Sequence, residues 1–158
     1  MIDAQDSSPS REWAVQIGRF SMGVGGVEWA TDMLLERSQG DASGSFYDRL
    51  TALKASLVNL QAGLQAELVN LIEEAHVLRE LRNTVLHSAL AVDFYVRAVG
   101  SASDGTEVDT GRIFTTTQLK DRKGKNKDID LSAMTDLAAQ AEALSGRFWA
   151  LLIKQSMP

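Results

Sequence analysis

The chain has 158 residues, of which 44% are hydrophobic and 23% charged, as in ordinary globular domains. It contains no cysteine, which excludes disulfides and thiolate metal sites. The net charge of −5 argues against a protein that coats nucleic acid through a general positive field. No apolar run is long enough to cross a membrane and no secretion signal is recognisable. We therefore expect a single cytoplasmic domain over residues 1–158.

The first helix is expected to follow a short polar segment. Residues 1–10 are interpreted as a flexible lead-in, with Ser10 as the expected N-cap of a helix over residues 11–37. Four glycines interrupt this helical pattern: Gly18, Gly23, Gly25 and Gly26. They match no phosphate-binding fingerprint and no strand precedes them. Close helix packing, or a kink, is the preferred interpretation.

A long helix is expected in the middle of the chain. Residues 38–45 form a predicted connection, residues 46–60 a second helix, and Gly63 the preferred break after it. Residues 64–90 contain no proline or glycine and are predicted to form the central helix. At about 100° per residue, its hydrophobic side chains share one core-facing stripe: Leu64, Leu68, Leu71, Ile72, Ala75, Leu78, Val85, Leu86, Ala89 and Leu90.

Two features break the amphipathic pattern of this long helix. Arg82 falls within the apolar stripe, where a guanidinium must find a partner or line a cleft because burying it unpaired is costly. Beside the stripe runs a polar row at steps of four, three and four residues, made up of His76, Glu80, Asn83 and His87. Both histidines of the chain lie in that row, so it is the first place to look for chemistry.

The segment from Arg82 to His87 resembles the signature of the HEPN superfamily, an arginine and a polar residue followed, after three residues, by a histidine. Members are small all-α proteins, many of them metal-independent ribonucleases of toxin and defence systems that act as dimers. The resemblance implies a homodimer that cleaves RNA without metal or other cofactor, with Arg82, Asn83 and His87 as catalytic residues. It also implies an antitoxin or regulatory protein as a candidate partner.

The residue types suit this chemistry. RNA cleavage without a metal needs a base for the ribose 2′-OH, an acid for the departing 5′-oxygen and positive charge on the phosphate. Histidine can serve as base or acid, and a guanidinium matches phosphate oxygens in pairs. Arg82 and His87 diverge by about 140° on one helix, so a single helix does not bring them together. The resemblance implies that two copies of the helix, related by a two-fold axis, form the site.

Other interpretations of the same residues remain open. His87 fits an inert histidine at the edge of a packed face, and Arg82 fits a structural ion pair with Glu67, Glu74 or a carboxylate of another helix. On that view the protein is a non-catalytic, dimeric helical module for binding or regulation. Some HEPN toxins carry a tyrosine two residues after the histidine, where this chain has Ala89, so regulation through that tyrosine is not expected.

A carboxylate–histidine metal bundle is the remote alternative. Glu73 and His76 have the Glu-x-x-His spacing of di-iron bundles. Such a site requires a second copy of the spacing, and Thr84 occupies the position three residues before His87. We therefore assign no metal ligands.

After the motif the periodicity changes from helix to strand. Residues 91–99 and 112–119 are rich in β-branched and aromatic residues, and the stretch between them is rich in turn formers. A short strand-like excursion is expected over residues 92–120. Residues 120–127 then carry five cations that are candidate RNA-binding residues: Lys120, Arg122, Lys123, Lys125 and Lys127. A solvated loop is the usual interpretation of such a run.

The last helix is expected from residue 130 onward, with Asp130 or Ser132 as its cap and a continuous hydrophobic face. It should close the fold against the central helix. The sequence therefore predicts an all-α, up-and-down bundle of four or five helices with a short strand-like excursion.

Overall fold

The structure is a computed structural model that describes residues 9–87, 89–97, 100–101, 107–108, 112–120 and 129–156. Within these ranges it contains four α-helices, namely α1 (Pro9–Ser38), α2 (Phe46–Ala55), α3 (Ala62–Leu86) and α4 (Leu131–Ser156). A 3₁₀ turn over Leu57–Asn59 connects α2 to α3. The predicted all-α bundle is confirmed. None of the helices described here combines the length and apolarity needed to cross a membrane.

The core is built mainly along the interface between α1 and α4. α1 packs most extensively on α4 and also contacts α2 and α3, so α1 organises the bundle more than the expected central helix does. The largest fully buried side chains of the two helices are Trp13, Phe20, Leu34 and Leu35 of α1 and Met134 and Phe148 of α4. Burying each such side chain contributes about 1.5–3 kcal/mol, so the interface supplies much of the hydrophobic driving force.

Two of the four glycines of α1 allow the close approach of α4. A Cβ atom added to Gly23 would lie 2.7 Å from the backbone carbonyl carbon of Ala141, and one added to Gly26 would collide with Ser145. Close packing, the preferred interpretation of the glycines, therefore holds for this pair. Cβ atoms added to Gly18 and Gly25 would meet nothing within 4 Å, so packing among the described residues does not account for those two.

Capping residues set several of the helix boundaries. Ser45 and Asp48 form a reciprocal capping box at the start of α2, which the sequence analysis did not identify. At α4 the predicted cap is confirmed, because Asp130 Oδ1 accepts a hydrogen bond of 2.7 Å from the Ala133 amide. The expected break at Gly63 is wrong, since α3 begins at Ala62 and the chain turns before it. Ser10 lies inside α1 rather than capping it, and residues 1–8 of the lead-in lie outside the described residues.

The predicted excursion contains two antiparallel strand pairs. Strand β1 (Ala89–Arg97) pairs with β4 (Arg112–Lys120), and the short β2 (Gly100–Ser101) pairs with β3 (Glu107–Val108). The helix predicted to reach residue 90 therefore ends earlier, because residues from 89 onward form a β-ladder. Leu86, expected in the core stripe, is 49% exposed in the last turn of α3.

Replacing Gly23 by alanine should lower the thermal midpoint of unfolding. The added methyl group meets the backbone of α4, and overpacking of this kind costs about 1–3 kcal/mol. The matched control is Gly146→Ala, because Gly146 is also helical and a Cβ atom there would meet nothing within 4 Å. That control should raise the midpoint, since alanine is favoured over glycine in a helix by about 1 kcal/mol. Calorimetry that finds both variants equally stabilised would contradict the tight α1–α4 interface.

Candidate functional site

The residues of the HEPN-like motif lie at the C-terminal end of α3. α3 ends at Leu86, and His87 is its C-cap, with its backbone amide donating to the Asn83 carbonyl at 3.2 Å. Asn83 and His87 are exposed, whereas Arg82 is partly covered. Five residues of helix separate Arg82 from His87 by about 7.5 Å of rise and 140° of rotation. Both side chains are thus accessible at one end of the helix, and one copy of α3 directs them to different sides.

Arg82 is held by a carboxylate of α1. Its Nη1 atom lies 3.5 Å from Glu28 Oε1, and 38% of its side chain is exposed. The two carboxylates named in the sequence analysis have other partners, because Glu67 lies 3.6 Å from Lys154 and Glu74 lies 2.6 Å from Arg147. The ion pair of Arg82 is therefore with another helix, one of the options that the sequence left open.

Glu28 is shared between two arginines. Arg49 of α2 donates to Asp32 Oδ2 at 2.9 Å and to Glu28 Oε2 at 3.5 Å, so Glu28, Asp32, Arg49 and Arg82 form one cluster that joins α1, α2 and α3. Two cations face two carboxylates, which leaves the cluster close to neutral. The side chain of Arg49 is only 18% exposed, so its charge depends on these carboxylates for compensation. An anion that binds Arg82 must therefore compete with Glu28.

The basic segment begins beside the end of α3. In the register of the β1–β4 ladder, Lys120 is the partner of Ala89, which follows His87 by two residues. The backbone of Lys120 therefore lies near the motif, a proximity that the sequence could not establish. The other four predicted RNA-binding cations, Arg122, Lys123, Lys125 and Lys127, lie outside the described residues.

A polar cleft between α2 and α3 was missed by the sequence analysis. It has a volume of about 520 Å³ and includes Tyr47, Lys54, His76 and Arg79 in its lining. The rings of Tyr47 and His76 are 5.3 Å apart, and the Arg79 guanidinium lies 5.0 Å above the Tyr47 ring. The contact between Tyr47 and His76 depends on how α2 packs against α3, so no local pattern could reveal it. Within the polar row, this packing gives His76 a different environment from His87.

The cleft changes the acidity of His76. Partial burial lowers the pKa of the imidazole below its ordinary value of 6.5, and the neighbouring Glu73 carboxylate offsets part of that effect. Lys54 and Glu73 form an ion pair across the cleft, and Arg79 and Glu80 form another. The cations of the cleft are thus compensated by carboxylates, so it offers no strong positive field to a phosphate.

Glu73 and His76, the two residues of the remote metal alternative, both line the cleft between α2 and α3. Glu73 is paired there with Lys54 of α2. Among the residues with described side chains, no three histidine, aspartate or glutamate groups come together as a metal site would require. His76 packs with Tyr47 instead.

Comparison of the chain with models of known protein families, with curated proteins and with solved structures found no match. The function must therefore be inferred from the motif and its surroundings. The features that bear on it are the exposed His87, the half-covered Arg82 with its Glu28 partner, and the adjacent start of the basic segment.

The pKa of His76 should be measurably low in an NMR titration of its imidazole. Because the folded value is depressed, the unfolded chain takes up the proton first as the pH falls. Stability contributed by neutral His76 is therefore complete above about pH 6.5 and declines below it, towards the folded pKa. Tyr47→Ala should raise the His76 pKa by uncovering the ring, whereas Tyr47→Phe keeps the ring contact and should not. An unchanged pKa in Tyr47→Ala would rule out burial by Tyr47 as the cause.

Proposed function

We propose that this protein is a metal-independent endoribonuclease whose active site is formed by two copies of the C-terminal end of α3, with Arg82, Asn83 and His87 as its catalytic residues. The observation that carries the proposal is the presence of an exposed histidine and a half-exposed arginine at one end of α3. The backbone of Lys120, where the basic segment begins, lies beside that end. Such a local positive segment is what an acidic protein needs to bind a polyanion.

Cleavage would proceed by attack of the ribose 2′-oxygen on the adjacent phosphorus. His87 of one copy takes the 2′-OH proton, and His87 of the other copy gives a proton to the departing 5′-oxygen. Arg82 binds two non-bridging oxygens as negative charge grows on the pentacoordinate phosphate. The products are a 2′,3′-cyclic phosphate and a 5′-hydroxyl, so protons and bonds balance without a metal or cofactor. Asn83, one turn before His87, holds the imidazole or the substrate.

The Arg82–Glu28 ion pair is compatible with this role. The pair spans 3.5 Å, with Arg82 38% and Glu28 23% exposed, so it is longer than a hydrogen-bonded ion pair and is partly screened by solvent. A phosphate that forms two short hydrogen bonds can therefore displace Glu28 from Arg82. Glu28 keeps a second partner in Arg49, so its carboxylate is not left without a counter-charge.

The second candidate is a non-catalytic, dimeric helical module that binds a regulatory protein. The observation that favours it is the same ion pair, since Arg82 joins α3 to α1 through Glu28 as a structural arginine would. The acidic net charge of −5 also suits a protein partner better than RNA. If the protein is the endoribonuclease of a toxin or defence system, the regulatory partner would be an antitoxin.

His87→Ala should lower the rate of RNA cleavage by roughly 10²–10⁴, the usual contribution of a general acid or base. Arg82→Ala should cost about 10²–10³ through lost stabilisation of the transition-state charge. EDTA should leave the activity intact, and His76→Ala serves as the matched histidine control with little effect. Purified protein that neither binds nor cuts RNA, with His87→Ala indistinguishable from it, would favour the non-catalytic module.

Glu28→Gln separates the two candidates further. If Arg82 contacts RNA, removing its counter-charge should tighten RNA binding and should not reduce its salt dependence, because no cation is lost. If Arg82 is only structural, the variant should lower the thermal midpoint and leave RNA binding unchanged. Glu142→Gln is the matched control. It removes the same charge, but from a pair with Arg19 that joins α1 to α4. Equal effects of both variants on RNA binding would indicate net charge alone.

A further inference from the structure

α1 carries a line of exposed hydrophobic side chains along one side. Val15, Met22 and Trp29 are 50%, 79% and 60% exposed, although α1 is the most extensively packed helix of the bundle. They follow one another at intervals of seven residues, so they lie along one side of the helix. Isolated exposed hydrophobic residues are ordinary, whereas an aligned set usually marks a contact surface.

Glycines occupy the alternate positions of the same line. Gly18 lies between Val15 and Met22, and Gly25 lies between Met22 and Trp29, at steps of three and four residues. A Cβ atom at either glycine would meet nothing within 4 Å. A glycine inside a helix costs about 1 kcal/mol relative to alanine, and the packing of the residues that the structure describes gives no reason for that cost here. The same steps continue to the exposed Arg11 at one end and the exposed Glu36 at the other; we name this line, from Arg11 to Glu36, the α1 seam.

We propose that the α1 seam is the contact between two copies of this chain, with the two α1 helices antiparallel about a two-fold axis. The alignment that sets Met22 opposite Gly25 of the second copy also sets Trp29 opposite Gly18. Each large side chain thus faces a glycine, which leaves room for it and lets the two backbones come close. Because a two-fold contact uses the same patch twice, every such pairing occurs twice.

The charges at the ends of the seam select this orientation. The same alignment sets Arg11 of one copy opposite Glu36 of the other, which gives an ion pair at each end. A parallel alignment would instead set Arg11 against Arg11 and Glu36 against Glu36, and would leave the glycines facing each other across a gap. Like charges opposite each other oppose association. Both the charges at the ends and the pairing of large side chains with glycines therefore favour the antiparallel dimer.

The third pairing along the seam places an apolar residue opposite a polar one. Val15 is set opposite Asp32 of the second copy, whose Oδ2 atom accepts the 2.9 Å hydrogen bond from Arg49. Arg49 compensates the carboxylate, so the layer buries no isolated charge. A single polar position in an otherwise apolar helix contact is known to fix register at some cost in stability. Trp29 is supported from its own chain by the Trp149 ring, at 4.9 Å between centroids, which orients it for the contact.

The inference does not rest on the proposed ribonuclease activity, because the seam lies on α1 and its tests use no RNA. A seam dimer without activity would leave the inference standing and reject the enzyme. RNA cleavage by a dimer that forms through another surface would reject the inference and leave the enzyme standing.

The decisive experiment is a charge exchange followed by sedimentation equilibrium. The parent should be a dimer at micromolar concentration. Arg11→Glu and Glu36→Arg should each weaken association about tenfold, because each turns two attractive pairs into repulsive ones, and the double variant should restore the parent affinity. A monomeric parent, or a double variant no tighter than the single ones, would overturn the proposal.

Filling a glycine tests the packing of the seam. Gly25→Leu occupies the space that Met22 of the second copy needs, so the dissociation constant should rise at least about tenfold, the usual scale of overpacking. Gly146→Leu is the control, because Gly146 is an exposed helical glycine of α4 that lies off the seam, and it should leave association unchanged. Circular dichroism checks that both variants are folded. Equal affinity in the two variants would contradict the seam.

The orientation can be read from disulfide formation, since the natural chain has no cysteine. Arg11→Cys and Glu36→Cys, purified separately and mixed under mild oxidation, should give a mixed disulfide dimer. Neither should cross-link with itself, because equivalent residues at these ends lie roughly 37 Å apart along an antiparallel pair. Self-linked dimers of each variant alone would indicate a parallel contact instead.

Discussion

The close approach of α4 to α1 is the contact on which the rest of the structure depends. Gly23 and Gly26 remove the side chains that would hold the helices apart, because Ala141 and Ser145 occupy that space. With one side of α1 fixed against α4, its other sides acquire distinct roles. One side directs Glu28 towards the arginines of α2 and α3, and the adjoining side presents the α1 seam, on which Asp32 accepts a hydrogen bond from Arg49.

Glu28 connects the architecture to the candidate chemistry. It shares its two carboxylate oxygens between Arg49 and Arg82, so the motif arginine is tied to the same helix that organises the core. The pair orients Arg82 and lowers the positive potential at the end of α3 when no anion is bound. In the proposed enzyme, Arg82 would exchange this structural pair for a bidentate contact with the phosphate.

The two histidines show how tertiary packing separates residues that share a helical row. α2 packs against the middle of α3, where Tyr47 covers His76 and burial lowers the pKa of its imidazole. At the end of α3 the chain changes to a β-strand, and His87 stays exposed. The position at the end of the helix therefore leaves His87 more exposed to solvent than His76.

Periodicity in the sequence determined the four helices and the strand-like excursion, and a capping residue marked the start of α4, because each of these depends on residues close together in the chain. It also placed Arg82 within an apolar face, which implied that its guanidinium needs a partner. Only the tertiary structure decided that the partner is Glu28, that His87 ends its helix and that the four glycines of α1 divide between a buried and an exposed side. Those outcomes depend on distances between segments far apart in sequence and on the competition between a continuing helix and the β1–β4 ladder, neither of which a local pattern encodes.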